Sequence, residues 1–559
     1  MTPRQQRLLL ALLAIGYLWL FPWADRLHNP NEMVRVYSVR AIAEFGTYAI
    51  GRRDLRNGVA VDSGPLVDQW GYVNDKALAC DDPKAERPSC AGWLYAAKAP
   101  GLNQLGSVPH GLLDRGWRLA TGHGPPKAAI VWWLRLWLAA LPSIVGFWWL
   151  AGHLARTMRR PALGAVVVLA AAFGSLSLTY GQMFAGHQPA GMALLLAYGA
   201  VAGVTPEYAA RRRLLCAGLG VGLATIIEFT AAPAGALLLA WLWLKRRRLA
   251  DLPWVALGGL GPALLLAHFN WKAFGAPWRL PYGYVENPGF VQDMAPGFFG
   301  IHLPNAEKTV GSLFSPFTGL YFWAPWMALA WMGLLGARKL ARHGESDPWH
   351  DTRGTAKVVW AICLYFLFFQ CTHSLWRGGW VVGPRYITAM VPFAALAVAY
   401  GGDALQRAWA QIYDAVVGAS AATAIAVTGA ATAVCQGFPM EVFNPLPEVV
   451  TPLLRLGWVW SSPLYWAGLP ARAAAVPWFL ALAVAIGWAL WAAARGSMRQ
   501  PTPARARAAL ALAIASVAAA GVVVLWSVPS RRPAADQRET VVFLTETWWP
   551  LPLRGATAP

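Results

Sequence analysis

Residues 8–37, LLLALLAIGYLWLFPWADRLHNPNEMVRVY, carry the chain from an apolar run through Pro22-Trp23 into a long polar stretch. The apolar run has the length and composition of a membrane crossing. No small-residue cleavage site follows it, and Pro22-Trp23 reads as an interfacial end, so a retained helix is expected rather than a signal peptide. Glu32 comes a few residues later and opens a large first outer loop, residues 24–127. A carboxylate where a chain leaves the bilayer can accept a proton from a hydroxyl while the apolar part of a substrate stays in the membrane.

Composition extends that reading along the whole chain. Of 559 residues, 57% are hydrophobic and only 13% charged, too few charges for a soluble protein of this length. Apolar segments of spanning length recur, so the expected fold class is all-α: a polytopic membrane protein. The net charge of +20 could suggest nucleic acid, but its distribution argues against that. Many basic residues cluster between apolar runs, as cytoplasmic loops require.

Those clusters set a topology. Arg4 and Arg7 hold the N-terminus in the cytoplasm. Arg156/Arg159/Arg160, Arg211 to Arg213, Lys245 to Arg248, Arg338/Lys339/Arg342 and Arg495 with Arg499/Arg505/Arg507 mark later cytoplasmic turns. Between them fit about thirteen spans: 8–24, 128–152, 162–180, 187–204, 214–228, 231–244, 252–270, 318–338, 357–372, 386–402, 412–434, 474–494 and 508–527. The stretch 214–244, basic at both ends with Pro233 near its middle, reads as two short helices meeting at Glu228-Phe229-Thr230 near the outer face; one long kinked helix is the alternative.

The outer loops carry the polar candidates. VRVYSVRAIAEFG (34–46) reads as an amphipathic helix on the membrane surface, with Arg35 and Arg40 on its polar face. Gly51 to Gly71 reads as irregular. Gly92 to Gly111 reads as an extended segment that turns into a short helix after Pro100-Gly101. Cys80 and Cys90 are close enough in sequence for a disulfide, with two free thiols as the alternative. Cys216 and Cys363 fall in spans as packing residues, and Cys371 and Cys435 could pair only if the fold brings them together. No His/Cys spacing suggests zinc, and no Walker-type loop is present.

Several motifs recur in order on the outer side: an acidic residue after the first span (Glu32), AAKAPG (96–101), GQMFAGHQPA (181–190), FGAPWRLPYGY (274–284), LFSPFTGLYF (313–322) and GGWVVGPRY (378–386). Together they resemble the bacterial integral-membrane glycosyltransferases of the GT-C superfamily, on the side of the protein O-mannosyltransferases and the lipid A aminoarabinose transferase. The resemblance runs from about residue 19 to 400. It implies a GT-C-like transmembrane module over residues 1–405, capped by extracytoplasmic loop helices; over 406–559, where it carries no residues, the apolar spans alone predict further membrane helices with an outer tail. It implies an inner-membrane enzyme whose site faces the periplasm and which moves a sugar, with inversion, from a polyprenyl-phosphate donor to an envelope glycan, lipid or protein. Relatives often carry an Asp-Glu pair where this chain has Asn31-Glu32. That leaves Glu32 alone in its motif and a divalent cation unsupported; no other cofactor is implied.

A phosphate leaves readily, so one carboxylate base can suffice where a glycosidase needs two carboxyl groups. Glu32 is the candidate base, or else a helix-capping carboxylate. Asp75 is the second acidic candidate, or part of an Asn-Asp turn. Lys98 and Arg385 are candidates for the lipid phosphate, with Tyr386 beside the latter; an interfacial anchor is the alternative for Arg385. Arg377, flanked by glycines, can meet a ligand or sit in a turn. His187 can hydrogen-bond phosphate or sugar, or serve structurally at a helix start. Glu228, an ionisable group between two membrane segments, either pairs with an Arg of the outer site or sits at the water interface, where its charge costs little. Tyr282 and Tyr284 can stack on a sugar or belong to the aromatic belt. A lipid-linked-sugar transporter, or a non-catalytic assembly partner, would use the same cations without breaking a bond; a transporter should show inverted repeats, which are absent from the sequence. Reporter fusions after residues 205, 248 and 345 are expected on the cytoplasmic side, and any one of them found outside overturns the topology.

Overall fold

The computed structural model describes residues 2–22, 29–87, 89–205, 208–295, 297, 300–333, 352–405, 407–496 and 504–548. Six of the described helices are long and apolar enough to cross a membrane: Lys127–Thr157, Leu249–Phe274, Thr355–Thr372, Trp409–Val434, Ala471–Arg495 and Ala504–Ser527. Other expected spans fall on shorter helices, among them α1 (Pro3–Leu18) and Pro161–Phe173. The expected span 318–338 is broken where it is described. A helix Leu320–Trp323 gives way at Pro325 to a 3-10 segment, Pro325–Trp331. The end of that span lies outside the described residues, as do the cytoplasmic marks Arg338, Lys339, Arg342 and Arg499 and the last residues of the tail.

The helical membrane architecture is as expected, and the first outer loop adds a small sheet to it. After α2 (Pro30–Phe45), strands β1 (Gly51–Arg56), β2 (Val59–Ser63), β3 (Lys76–Cys80) and β4 (Gly92–Ala96) form an antiparallel sheet in the order β2-β1-β4-β3. Gly51 to Gly71, expected to be irregular, begins as a hairpin. Asn57 and Gly58, both at positive φ, supply the tight turn between β1 and β2. The Cys80–Cys90 disulfide closes the β3–β4 connection, with Cα atoms 5.7 Å apart. Cys216, Cys363, Cys371 and Cys435 are free. The extended segment before Pro100 is β4, and the helix after it, α3 (Gly101–Thr121), is long rather than short.

The position of α2 corrects the amphipathic-helix expectation. Asn29 caps it by accepting from the Asn31 and Glu32 N–H groups, and Gly46 ends it in the left-handed region. Its residues from Asn31 to Val39 are all buried, Arg35 included. The apolar pattern of 34–46 was read against a membrane surface, but the sheet and α3 cover this helix instead. The exposed apolar stripe belongs to α3, through Val108, Leu112 and Leu119. Glu44 joins the two helices, 2.8 Å from His110 Nε2 and 2.7 Å from Arg40 Nε. Burial alone would raise the Glu44 carboxyl, but the hydrogen bonds from His110 and Arg40 outweigh it and pull it down to about 2.

Further along, α4 (Lys127–Arg135) passes through a π turn into α5 (Leu141–Thr157). The helices α6 (Pro161–Phe173), α7 (Leu176–Tyr180) and α8 (His187–Ala202) follow. The 214–244 stretch is two helices, α9 (Arg211–Ile227) and α10 (Ala232–Arg246), broken at Glu228, whose backbone is extended at φ −151° and ψ 110°. Next, α11 (Leu252–Phe274) packs on α9 through glycines. A Cβ on Gly218 would strike the Val255 carbonyl, and one on Gly258 the Leu215 carbonyl. Backbones that approach this closely need residues without side chains. Gly218→Val or Gly258→Val is therefore expected to push α11 off α9 at a cost of about 1–3 kcal/mol, read as a lowered Tm in detergent.

Candidate functional site

Five separate segments converge where α8 begins and α9 ends: α2, the entry to β3, the Lys98–Gly101 element, residues 282–286 and the loop before Arg385. On α2, Arg35 is 1% exposed; its Nη1 donates to the Ala99 carbonyl at 3.1 Å and its Nη2 lies 3.8 Å from Glu228 Oε2. The same Glu228 oxygen is 3.4 Å from His187 Nδ1. Lys98 pairs with Asp75 at 2.9 Å. The His187 ring meets the Tyr386 ring edge-on at 5.5 Å, and Arg385 donates to the Tyr386 hydroxyl at 3.3 Å. The charges of Lys98, Arg35 and Arg385 all act on His187 and Glu228, and Asp75 acts on Arg35 and Arg385. Tyr282, from the second outer loop, packs its ring on Phe229 and feels Glu228, Arg35 and Asp75.

Arg35, Lys98 and Arg385 thus face Asp75 and Glu228, which leaves one net positive charge in a nearly dry cluster. The Arg385 Nε is buried and has no hydrogen-bond partner among the described residues. An orphaned buried donor of this kind costs about 1–3 kcal/mol, and an anion bound there would remove that cost.

Glu32 sits one turn before Arg35 but is engaged elsewhere. It is 2% exposed and takes a bidentate pair from Arg135 at 2.7 Å to each oxygen. Its Oε1 also accepts the Phe184 N–H at 2.7 Å, while Arg135 donates onward to the Pro22 carbonyl. This is a strut joining α2, α4 and the segment before α8. Arg377 also stands apart: it is exposed, donates to the Met440 carbonyl at 2.7 Å and lies over Phe317. Tyr284 stacks on Phe274 at 4.3 Å rather than facing the cluster. Arg35 and Arg135 were not singled out from sequence. Arg135 carried a signal, being an arginine inside an apolar span. Arg35 was assigned to a solvated face, and only the packing of α2 reverses that.

A cavity of about 610 Å³, lined mostly by apolar residues of α3, α5, α8 and α9, reaches residues that adjoin the cluster in sequence. Leu102, Pro189 and Ile227 line it near its outer end, and Ile227 directly precedes Glu228. Arg212 and Arg213 mark the other end of α9, about 25 Å away at 1.5 Å per residue.

No protein-family model matches the chain, and neither does any curated protein sequence. Among solved structures, the chain is similar to ArnT from Cupriavidus metallidurans. The form bound to undecaprenyl phosphate superposes with a TM-score of 0.45 at 13% identity, and the apo form with 0.44 at 14%; each covers 96% of this chain and 76% of that one.

Removing one partner of a buried ion pair leaves an uncompensated charge, at a cost of about 3–5 kcal/mol. Arg135→Met is expected to lose that much stability, and Glu32→Leu/Arg135→Met to recover most of it. Thermal unfolding of the two variants beside wild type checks the pair.

Proposed function

We propose that this chain is a membrane glycosyltransferase that takes a sugar from a polyprenyl-phosphate donor and passes it to an envelope glycan, lipid or protein on the outer face of the inner membrane. The observation that carries the reading is the apolar groove of about 610 Å³ ending beside a buried, net-cationic cluster. An amphiphile with a long hydrocarbon tail and an anionic head matches both parts at once.

In this reading the groove holds the proximal part of the lipid chain. Lys98 and Arg385 take the phosphate, the latter with its unpartnered Nε. Asp75 is assigned as the base, because its carboxylate lies in the cluster, 2.9 Å from Lys98, which takes the phosphate. Glu32, the base expected from sequence, is assigned the strut role instead, since Arg135 and the Phe184 N–H already occupy it. The acceptor hydroxyl gives its proton to Asp75, and its oxygen attacks the anomeric carbon from the face opposite the phosphate. The carbon–oxygen bond to phosphate then breaks, and the cations take up the charge left on the lipid phosphate. His187, Glu228 and Tyr386 hold Arg35 and Arg385 in place around the sugar. The reading invokes no cofactor.

The test is turnover of labelled polyprenyl-phosphate sugars by purified protein with envelope extract, with and without EDTA. Wild type is expected to transfer sugar. Asp75→Asn should retain donor binding and lose at least a hundredfold in kcat, consistent with the weight of a positioned base. Arg385→Gln should weaken donor binding, and so should Leu196→Trp, which fills the groove. Full loss with Glu32→Gln but not Asp75→Asn returns the base to Glu32. Lipid binding without turnover in every protein, wild type included, supports a transporter or assembly partner.

A further inference from the structure

Behind the cluster, on the sheet side, lies a second set of charges that touches none of the groups assigned to donor or acceptor. Lys76, fully buried, sits 2.8 Å from Asp62, 3.2 Å from Asp68 and 3.7 Å from Glu286. Arg53 lies 2.6 Å from Asp62 and 2.5 Å from Glu286. Asp62, Asp68, Arg53 and Lys76 all belong to the first outer loop. Glu286 alone comes from the second.

Both ends of this set run directly into the site. Lys76 opens β3 and is preceded by Asp75, while Glu286 closes the segment that begins with Pro281-Tyr282. The two chains also pair as backbone: Ala77 bridges Val285, and the Glu286 N–H donates to the Lys76 carbonyl at 3.1 Å. Arg87 adds a third fastening, donating to the Gly283 carbonyl at 2.6 Å. The distance between Asp75 and Tyr282 is therefore fixed by how Glu286 is held on the sheet. Burial raises the Glu286 carboxyl, against the pull of Lys76 and Arg53. The two cations offset only part of the cost of burying this carboxylate.

We propose that Glu286 is a positioning residue of the transfer site. Gripped by Arg53 and Lys76, it locks the second outer loop to the sheet and so sets Tyr282 against Asp75, where acceptor meets donor. It touches neither substrate. The assignment rests on the glycosyltransferase reading and adds to it the element that aligns the acceptor side.

Glu286→Gln keeps the shape and removes both ion pairs. It is expected to lower kcat at least tenfold per folded molecule while leaving the donor KM within twofold, because the groove, Lys98 and Arg385 are untouched. Ala77→Cys/Val285→Cys, placed at the bridged pair, then replaces the ionic brace by a covalent one; antiparallel partners stand at a separation a disulfide can span. In the Glu286→Gln background this crosslink should restore kcat when oxidised and not when reduced. Spin labels at the exposed Val59 and Val291 report the brace independently of activity, with a narrow distance distribution in wild type that broadens in Glu286→Gln. A broadened distribution with unchanged kcat overturns the assignment. So does a crosslink that restores the narrow distribution and the Tm but not kcat. A wild type that turns over no donor overturns the transfer reading and this role with it, whereas an active wild type matched by Glu286→Gln overturns this role alone.

Discussion

Removing an ion from water costs several kcal/mol unless a partner and further hydrogen bonds compensate it, and α2 buries two ions one turn apart. Glu32 is compensated by Arg135 and the Phe184 N–H, and Arg35 by Asn31, the Ala99 carbonyl and Glu228. Apart from Asn31, on α2 itself, each partner comes from a different part of the chain: α4, the segment before α8, the Lys98–Gly101 element and the α9–α10 break. Meeting the electrostatic demand of one helix therefore fixes the relative positions of four others. The extended backbone at Glu228 follows from the same demand, since a continuous helix would not deliver that carboxylate to Arg35.

The cluster that results is built like a site rather than like a core. Its cations exceed its carboxylates, one guanidinium nitrogen stays unpartnered, and an apolar groove ends beside it. A purely structural network would be expected to satisfy every buried donor. The Glu32–Arg135 strut comes closer to that standard, with both Glu32 oxygens accepting from the guanidinium.

Much of this was legible in the sequence, and for identifiable reasons. The apolar runs and basic clusters located the membrane helices because hydrocarbon thickness and leaflet charge act on each segment locally. Pro233 and the basic residues at both ends of 214–244 foretold the α9–α10 break. Asp75, Lys98, His187, Glu228, Arg385 and Tyr386 meet in one cluster. The sheet was missed because its strands are short, charged and punctuated by glycine, and their pairing depends on partners up to 43 residues away.

The sequence by itself determined that this chain lives in a membrane and where most of its long apolar helices lie, because each of these follows from the composition of a single segment. Only the tertiary structure decided which partners its acids meet. Glu32 and Asp75 are both isolated carboxylates in the outer loop, and nothing local distinguishes them. Their difference is made by Arg135 and Lys98, one reaching Glu32 from 103 residues away and the other pairing with Asp75 at 2.9 Å. A carboxylate's role depends on its partners and on the space beside it, and both are properties of packing.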